Sequence, residues 1–163
     1  MKKIYLCALL SLIFNVMFAQ EKNCSNYVSD EMFFRYTASG YQEVVNNNHS
    51  KAINESKKRA NISAESELAK MVNSVVTRVI EEMSMEDQAY NYTQSDTTLV
   101  STYKVFKGMN TICQTKTKLV DNVYVTYVTK EISVDCISDM FYFDDEADKA
   151  EFKKKLRKRK KNK

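Results

Sequence analysis

Residues that commonly carry out chemistry are sparse in this 163-residue chain. The only histidine, His49, lies in an Asn-rich stretch, and the sequence contains neither a His pair nor a Cys-x-x-Cys motif from which a usual zinc site could be built. Gly-x-Ser-x-Gly is absent, and two glycines, Gly40 and Gly108, are too few for a phosphate-cradling loop. We therefore expect no catalytic residue, no metal and no cofactor, the alternative being an enzyme with an unrecognised site.

One acidic cluster, formed by Asp144, Asp145 and Glu146, could in principle coordinate calcium. It lacks both the alternating ligand spacing and the turn glycine of a calcium loop. Carboxylates at the start of a helix complement the helix dipole, and the cations that follow complement its other end. The cluster is therefore better explained as the beginning of a charged C-terminal helix.

The basic C-terminal end is the feature that most clearly suggests a partner. Residues 20–152 carry 14 basic and 21 acidic residues, a net charge of −7, whereas the last eleven positions hold nine cations. These are Lys153, Lys154, Lys155, Arg157, Lys158, Arg159, Lys160, Lys161 and Lys163. Such a tail attracts polyanions such as lipid head groups, lipopolysaccharide or nucleic acid. The alternatives are a solvated tail that aids solubility and a tail that folds back on the acidic body.

The N-terminal segment has the form of a secretory signal peptide. Two lysines precede an apolar stretch over residues 4–18, and Ala19 ends it. A transmembrane helix needs about 20 apolar residues, and a polar stretch follows this shorter one directly. We expect cleavage after Ala19 and export to the periplasm or the outside of the cell, with outer-membrane association as a further option.

A lipid anchor is the main alternative to simple export. It requires a cysteine directly after a small-residue box at the end of the apolar stretch. Cys24 instead follows Glu21, Lys22 and Asn23, and Cys7 lies too early. The sequence therefore predicts a processed chain without a lipid anchor or a transmembrane helix, leaving peripheral membrane contact open.

Periodicity predicts one long helix after an aromatic strand. Residues 31–39 read as a strand that a turn at Gly40 ends. Over residues 51–83, small and apolar residues recur at helical spacing between charged ones, as in an amphipathic helix that faces a core. Ser50 is the expected N-cap of this helix.

Three further strands are expected to form a meander over residues 97–106, 109–120 and 123–137, with turns at Lys107-Gly108 and Asp121-Asn122. A two-residue turn would set Leu119 opposite Tyr124, with the more apolar face towards the helix. The same register sets Cys113 opposite Lys130 on that inner face. Either Lys130 lies at a rim or the register slips there.

Three cysteines remain in the processed chain, and an oxidising compartment favours one disulfide with one thiol left over. In the expected register Cys113 faces Lys130, and Cys136 lies six residues further, about 20 Å away at the rise of a strand. A disulfide cannot span that distance. We therefore expect any disulfide to involve Cys24, with Cys136 as its partner, the alternative being three free or buried thiols.

The pattern resembles the LPP-twenty type of small envelope lipoprotein and, more distantly, the N-terminal domain of a flagellar T-ring protein. The first shared features are a strand ending in Thr-Ala-Ser-Gly at residues 37–40 and a long helix with alanines in register, at Ala52, Ala60, Ala64 and then Leu68-Ala69. The others are a Lys-Gly-Met turn at residues 107–109 and an aromatic strand at residues 123–128. The resemblance covers residues 31–137. It implies a helix packed on a small antiparallel sheet and an envelope or secreted protein that acts by binding, although the missing lipobox departs from the family.

The sequence thus predicts an α+β fold, with one long amphipathic helix packed on a three- to four-stranded antiparallel sheet and a basic C-terminal helix or tail. Its expected divisions are a signal peptide at residues 1–19, the α+β domain at 20–143 and the charged helix and tail at 144–163. The expected function is that of a non-enzymatic exported structural or interaction module with an unidentified envelope partner. The alternative is a polyanion-binding protein that acts through its tail.

Overall fold

The computed structural model describes residues 23–86, 106–143 and 145–158, and it confirms an α+β fold in which one long helix packs on an antiparallel sheet of four strands. A 3-10 turn (Cys24–Asn26) precedes β1 (Phe33–Glu43), α1 (His49–Glu86), β2 (Asn110–Gln114), β3 (Lys118–Val120), β4 (Val123–Ser133), α2 (Val134–Ser138) and α3 (Glu146–Lys158). The predicted leader, most of the strand predicted at residues 97–106 and the last five residues of the basic tail lie outside the described residues.

The strand β4 lies at the centre of the sheet. β1 pairs with one side of it along its whole length, whereas β2 and β3 follow one another along the other side. Asp121 and Asn122 have φ angles of 47° and 63°, the left-handed backbone of a two-residue hairpin turn that Asp and Asn tolerate. This turn sets Leu119 opposite Tyr124, so the predicted pairing is confirmed there.

The predicted register fails further from the turn. The expected strand at 109–120 is divided into β2 and β3, and β2 has an irregularity between Thr111 and Cys113. Thr111 pairs with Lys130, and Cys113 pairs with Thr129, so the prediction that Cys113 faces Lys130 is wrong. Lys118 pairs with Val125 as the turn requires, but Gln114 pairs with Val128, so the pairing shifts by one position in the break between β2 and β3. The irregularity between Cys113 and Thr111 shifts it by one more.

Lys130 nevertheless lies on the helix side of the sheet. Its residue is only 8% exposed, and its Nζ lies 2.8 Å from Oε1 of Glu65 on α1. An unpaired ammonium in this position would carry a large desolvation cost. The ion pair therefore lets a lysine occupy a position between the sheet and the helix.

Gly40 lies inside β1 rather than in the turn that was predicted there. A Cβ atom added to it would lie 2.0 Å from the carbonyl oxygen of Ser56 and 2.4 Å from the nitrogen of Ala60. The backbone of α1 therefore rests directly on β1 at this point. The small residues Ala52, Ser56 and Ala60, all buried, permit the close approach.

The long helix begins two residues earlier than predicted. α1 starts at His49, and the side chain of Asn48 accepts a hydrogen bond of 3.0 Å from the backbone N–H of Lys51. Asn48 thus caps the first turn, so the prediction of Ser50 as the N-cap is wrong. Asn can take this role as readily as Ser because its side-chain oxygen lies at a similar reach.

The C-terminal half of α1 extends beyond the sheet and is covered by the other helices. At about 1.5 Å per residue, 38 residues span about 57 Å, whereas an 11-residue strand spans about 37 Å. Leu68, Val72 and Val79 of α1 form the main core with Ile137 of α2 and Phe152 of α3, among others. The helix α3 therefore belongs to the same core as the sheet and α1.

The chain leaves β4 through a helix, not through the longer strand predicted to residue 137. Ser133 ends β4 and caps α2, since its Oγ accepts a hydrogen bond of 3.0 Å from the N–H of Cys136. Asp145 caps α3 in the same way through the N–H of Asp148, at 2.8 Å. The acidic start of α3 thus has the helix-capping role that the sequence favoured over a calcium loop.

Candidate functional site

The outer edge of β1 carries backbone groups that point away from the sheet. The N–H of Arg35 donates to Oγ of Ser29 at 2.7 Å, and that hydroxyl donates to the carbonyl oxygen of Arg35 at 3.0 Å. The N–H of Asp30 donates to the carbonyl oxygen of Phe33 at 3.1 Å. Because strand residues alternate in direction, the backbone N–H and C=O groups of the odd-numbered residues of β1 all point to this outer edge. Near the start of β1, the segment that precedes the strand supplies hydrogen-bond partners for these groups.

Further along the same edge, most backbone groups have no partner among the described residues. β1 pairs with β4 without a shift from Phe33 to Glu43, so the alternation continues through Thr37, Ser39 and Tyr41. Within the described part of the chain, no group hydrogen-bonds the backbone N–H or C=O of Thr37 or Ser39. The carbonyl oxygen of Tyr41 accepts a bond of 3.3 Å from the guanidinium of Arg59.

The opposite edge of the sheet is built differently. There β2 and β3 are short, a bulge interrupts β2, and the exposed Lys116 and Lys118 lie at or next to the start of β3. Short strands, bulges and lysines are the devices by which proteins prevent an edge from pairing with another chain. β1 has no proline, lysine or bulge between Thr37 and Tyr41, so this stretch of the edge lacks those devices.

A polar groove adjoins the open edge where the end of β1 meets the start of α1. It encloses a cavity of about 460 Å³. Two carboxylates, Glu43 and Glu55, and two cations, Lys51 and Arg59, line it together with three amide side chains, those of Gln42, Asn46 and Asn48. Its charges balance, so the groove favours a polar ligand that both donates and accepts hydrogen bonds.

The loop between β1 and α1 shapes this groove. Asn46 and Asn47 have φ angles of 54° and 57°, which Asn adopts more readily than most residues. His49 begins α1 there, and its Nδ1 lies 3.2 Å from the hydroxyl of Tyr124 with the rings edge to face. His49 is exposed, and its described contact is with this tyrosine of β4.

On the face of the sheet opposite α1, a disulfide fixes the N-terminal segment. Cys24 is bonded to Cys113, with 5.5 Å between their Cα atoms. The carbonyl oxygen of Cys24 also accepts hydrogen bonds from the hydroxyls of Thr37 and Thr129, at 3.2 and 3.1 Å. The 3-10 turn thus lies across the sheet and joins β1, β4 and β2.

The predicted Cys24–Cys136 pairing is wrong, although the prediction that Cys24 forms the bridge is right. The one-residue shift between β3 and β2 brings Cys113 beside Thr129 and therefore under Cys24. Cys136 lies in α2 against the main core and remains a free thiol. Burial raises the pKa of this thiol, and the charge of Asp139 raises it further, so it stays protonated at neutral pH.

Arg35 fastens the segment that follows the disulfide. Its guanidinium forms an ion pair with Asp30, contacts Glu131 at 2.8 Å and donates to the carbonyl oxygen of Val28 at 2.9 Å. Burial alone would raise the pKa of Asp30, but the N–H groups of Met32 and Phe33 and the guanidinium together hold that pKa below its usual range. This cluster holds the segment against the start of β1.

The residues predicted to bind polyanions do not all lie free. On α3, Lys153 and Arg157 both approach Asp135, with N–O distances of 2.9 and 3.9 Å, and Lys155 lies 3.7 Å from Glu151. Lys154 and Lys158 are exposed. The remaining predicted tail residues, Arg159, Lys160, Lys161 and Lys163, lie outside the described residues. The structure therefore ties part of the predicted cationic cluster to the acidic body.

Comparison with models of known protein families gave no match, and comparison with curated proteins gave no significant relative. Among the described residues, no group of three or more His, Cys, Asp or Glu side chains is placed to hold a metal ion. No helix in the described ranges is long and apolar enough to cross a membrane. The site must therefore be interpreted from its own geometry.

The open edge of β1 and its groove were missed from the sequence. The sequence predicts a turn at Gly40, so the predicted strand ends four residues before β1 does and excludes the alternation through Tyr41 to Glu43. The available signal was the spacing of Tyr36, Ala38, Gly40 and Gln42, which continues a strand if glycine is taken as a site of close approach.

Proposed function

We propose that this protein is an exported, non-enzymatic structural or interaction module. The Cys24–Cys113 disulfide is the observation that carries the proposal. Disulfides persist in oxidising compartments and are rare where thiols are kept reduced. The bond agrees with the signal peptide expected at residues 1–19 and with the resemblance to small envelope proteins.

Binding, rather than catalysis, is the activity that the surface supports best. The open edge between Thr37 and Tyr41 leaves strong hydrogen-bonding groups without a protein partner among the described residues. The adjoining groove is polar, with carboxylates and cations in equal number. Cys136, the free thiol, has a raised pKa and so lacks the thiolate character that a nucleophile requires.

Polyanion binding through the C-terminal end is the second candidate. The exposed Lys154 and Lys158 of α3 favour it, since both lead towards the further cations of residues 159–163. The pairing of Lys153 and Arg157 with Asp135 reduces the charge available to a polyanion. A polyanion would therefore be held mainly by the last residues of the chain.

Capture from a cell-envelope extract at increasing salt separates the two candidates. The bait is residues 20–163, compared with a chain that ends at Lys158. A cut at Glu151 is unsuitable because it would remove Phe152 and Leu156, which are 1% and 0% exposed in the core. The matched control keeps the full length and replaces the cations of residues 159–163 with glutamine.

An interaction module predicts one protein captured by all three baits and retained at high salt. Polyanion binding predicts capture that needs the cations of residues 159–163 and falls steeply with salt. Loss of capture in both the shortened and the glutamine forms would overturn the interaction-module proposal in favour of polyanion binding. Failure of every bait to retain a protein would also overturn it.

A further inference from the structure

We propose that the open edge of β1 binds an extended segment of a partner protein, which adds to the sheet as a further strand between Thr37 and Tyr41. This inference rests on the proposed function as an interaction module. Such strand addition is a common mode of peptide recognition, in which backbone hydrogen bonds supply affinity and alternate side chains supply specificity.

The backbone of β1 specifies the kind of ligand. Thr37, Ser39 and Tyr41 direct their N–H and C=O groups outward. The outward groups of one residue lie about 7 Å from those of the next, because the residues are two positions apart along the strand. Only another extended backbone offers donors and acceptors at the same repeat. On binding, the carbonyl oxygen of Tyr41 would exchange the guanidinium of Arg59 for a backbone N–H.

An antiparallel second copy of this chain would be crowded at the same edge. The backbone of α1 lies directly over Gly40, as the 2.0 Å approach of Ser56 to an added Cβ shows. Antiparallel pairing of β1 with β1 of another copy would set the two strands about 4.8 Å apart and place both α1 helices close together on one face of the joined sheet. Packed helices need about 8–10 Å between their axes. The ligand is therefore a segment that has no covering helix of its own.

The surroundings of the edge define the side chains of that segment. Those on the helix side would lie next to the polar groove, where Arg59 and Lys51 can bind a carboxylate or carbonyl and Glu55 can bind a donor. Those on the other side would lie beside Tyr41, which is 53% exposed, and would favour β-branched or aromatic residues. The expected pattern alternates polar and β-branched or aromatic residues.

Selection from a displayed library of random eight-residue peptides provides the probe. Peptides selected on oxidised residues 20–163 should share the alternating pattern. Binding should slow amide exchange at Thr37, Ser39 and Tyr41 by about tenfold or more, because each amide gains a partner. Ser39→Pro removes the central edge N–H and should weaken binding about tenfold, whereas the control Ser39→Ala keeps that N–H and should bind almost as the wild type does.

A second measurement does not depend on how well the proline variant folds. Selected peptides methylated on alternate backbone nitrogens should lose binding when the methyl groups face β1 and keep it when they face outward. Absence of selectable peptides, or equal loss from both methylation patterns, would overturn the proposal. A dimer of the free protein that Ser39→Pro dissociates would also overturn it, because the edge would then belong to a second copy.

Capture of an envelope protein by wild type and by Ser39→Pro tests the proposed function separately from strand addition at β1. If wild type and Ser39→Pro capture the same envelope protein equally well, the protein remains an interaction module but does not use β1. If neither captures a protein while the selected peptides bind β1, the edge of β1 binds extended peptides but the interaction-module proposal is wrong.

Discussion

Gly40 of β1 and Ser56 of α1 approach so closely that a Cβ on Gly40 would lie 2.0 Å from the carbonyl oxygen of Ser56. Two further contacts sit beside this one. Oγ of Ser56 lies 2.9 Å from Oγ1 of Thr126, which pairs across the sheet from Gly40 and lies 2.8 Å from Oγ1 of Thr117. The helix is thus fixed over the sheet by a glycine that admits its backbone and by hydroxyl groups that bond beneath it.

Gly40→Ala should destabilise the fold by about 2–4 kcal/mol, because a methyl group at this point displaces backbone atoms that no side-chain rotation can relieve. Urea unfolding of oxidised protein measures the effect. Ser39→Ala, one residue away and on the other face of β1, is the matched control and should change stability by less than about 0.5 kcal/mol. Equal stability of Gly40→Ala and wild type would contradict the close helix contact.

Removal of the disulfide by Cys24→Ser should lower the free energy of unfolding by about 2–5 kcal/mol, because the bond closes a long loop across 89 positions of sequence. Cys136→Ser removes the free thiol and serves as the control, with an expected loss of less than about 1.5 kcal/mol. Peptide mapping of the unreduced protein should find Cys24 joined to Cys113. A Cys24–Cys136 peptide would refute the arrangement of β2.

The pair of Lys130 and Glu65 should respond unequally to substitution. Glu65→Gln leaves the nearly buried ammonium of Lys130 without its carboxylate partner, and should lower the free energy of unfolding by about 1–3 kcal/mol. Lys130→Met fills the same space without charge and should be neutral to within about 1 kcal/mol. In the double variant Glu65→Gln/Lys130→Met, the loss should largely disappear. Additive losses in denaturant unfolding would show that the pair is not coupled.

Asp30 should make stability depend on acid pH. The pKa of Asp30 is lower in the folded protein than in the unfolded chain, where it is about 3.8. The contribution of Asp30 to the free energy of unfolding is therefore complete above the unfolded pKa and is lost as the pH falls through the folded pKa. Asp30→Asn should therefore lower the thermal midpoint at pH 7 and flatten its fall below about pH 4. Glu81→Gln, at an exposed carboxylate of α1, is the control. Parallel pH curves for Asp30→Asn and wild type would contradict the role of the Arg35 cluster.

Sequence periodicity was sufficient for the fold class, for α1 and for the hairpin at Asp121 and Asn122. Each of these depends on local signals, since helical spacing and turn residues act within a few positions. The pairing of Leu119 with Tyr124 follows directly from that turn. The capping of α3 by Asp145 likewise agrees with the acidic residues at its start.

The errors arose where tertiary contacts override local patterns. Gly40 has the local signature of a turn, but its use is to admit the backbone of α1 from elsewhere in the chain. The one-residue shift between β2 and β3 has no strong sequence signal, and it was enough to change the partner of Cys24. The open edge of β1 depends on which strands pair, a property of the whole sheet and not of β1 alone.

Amide hydrogen exchange of the free, oxidised protein tests most directly whether β1 presents an open edge. The N–H groups of Ala38 and Gly40 face β4 and should exchange at least about a hundredfold more slowly than those of Thr37, Ser39 and Tyr41, which face outward. Slow exchange that alternates with fast exchange along this one strand is the expected result. Equal protection of all five amides would show that the edge is already covered in the free protein, and would contradict an open edge at β1.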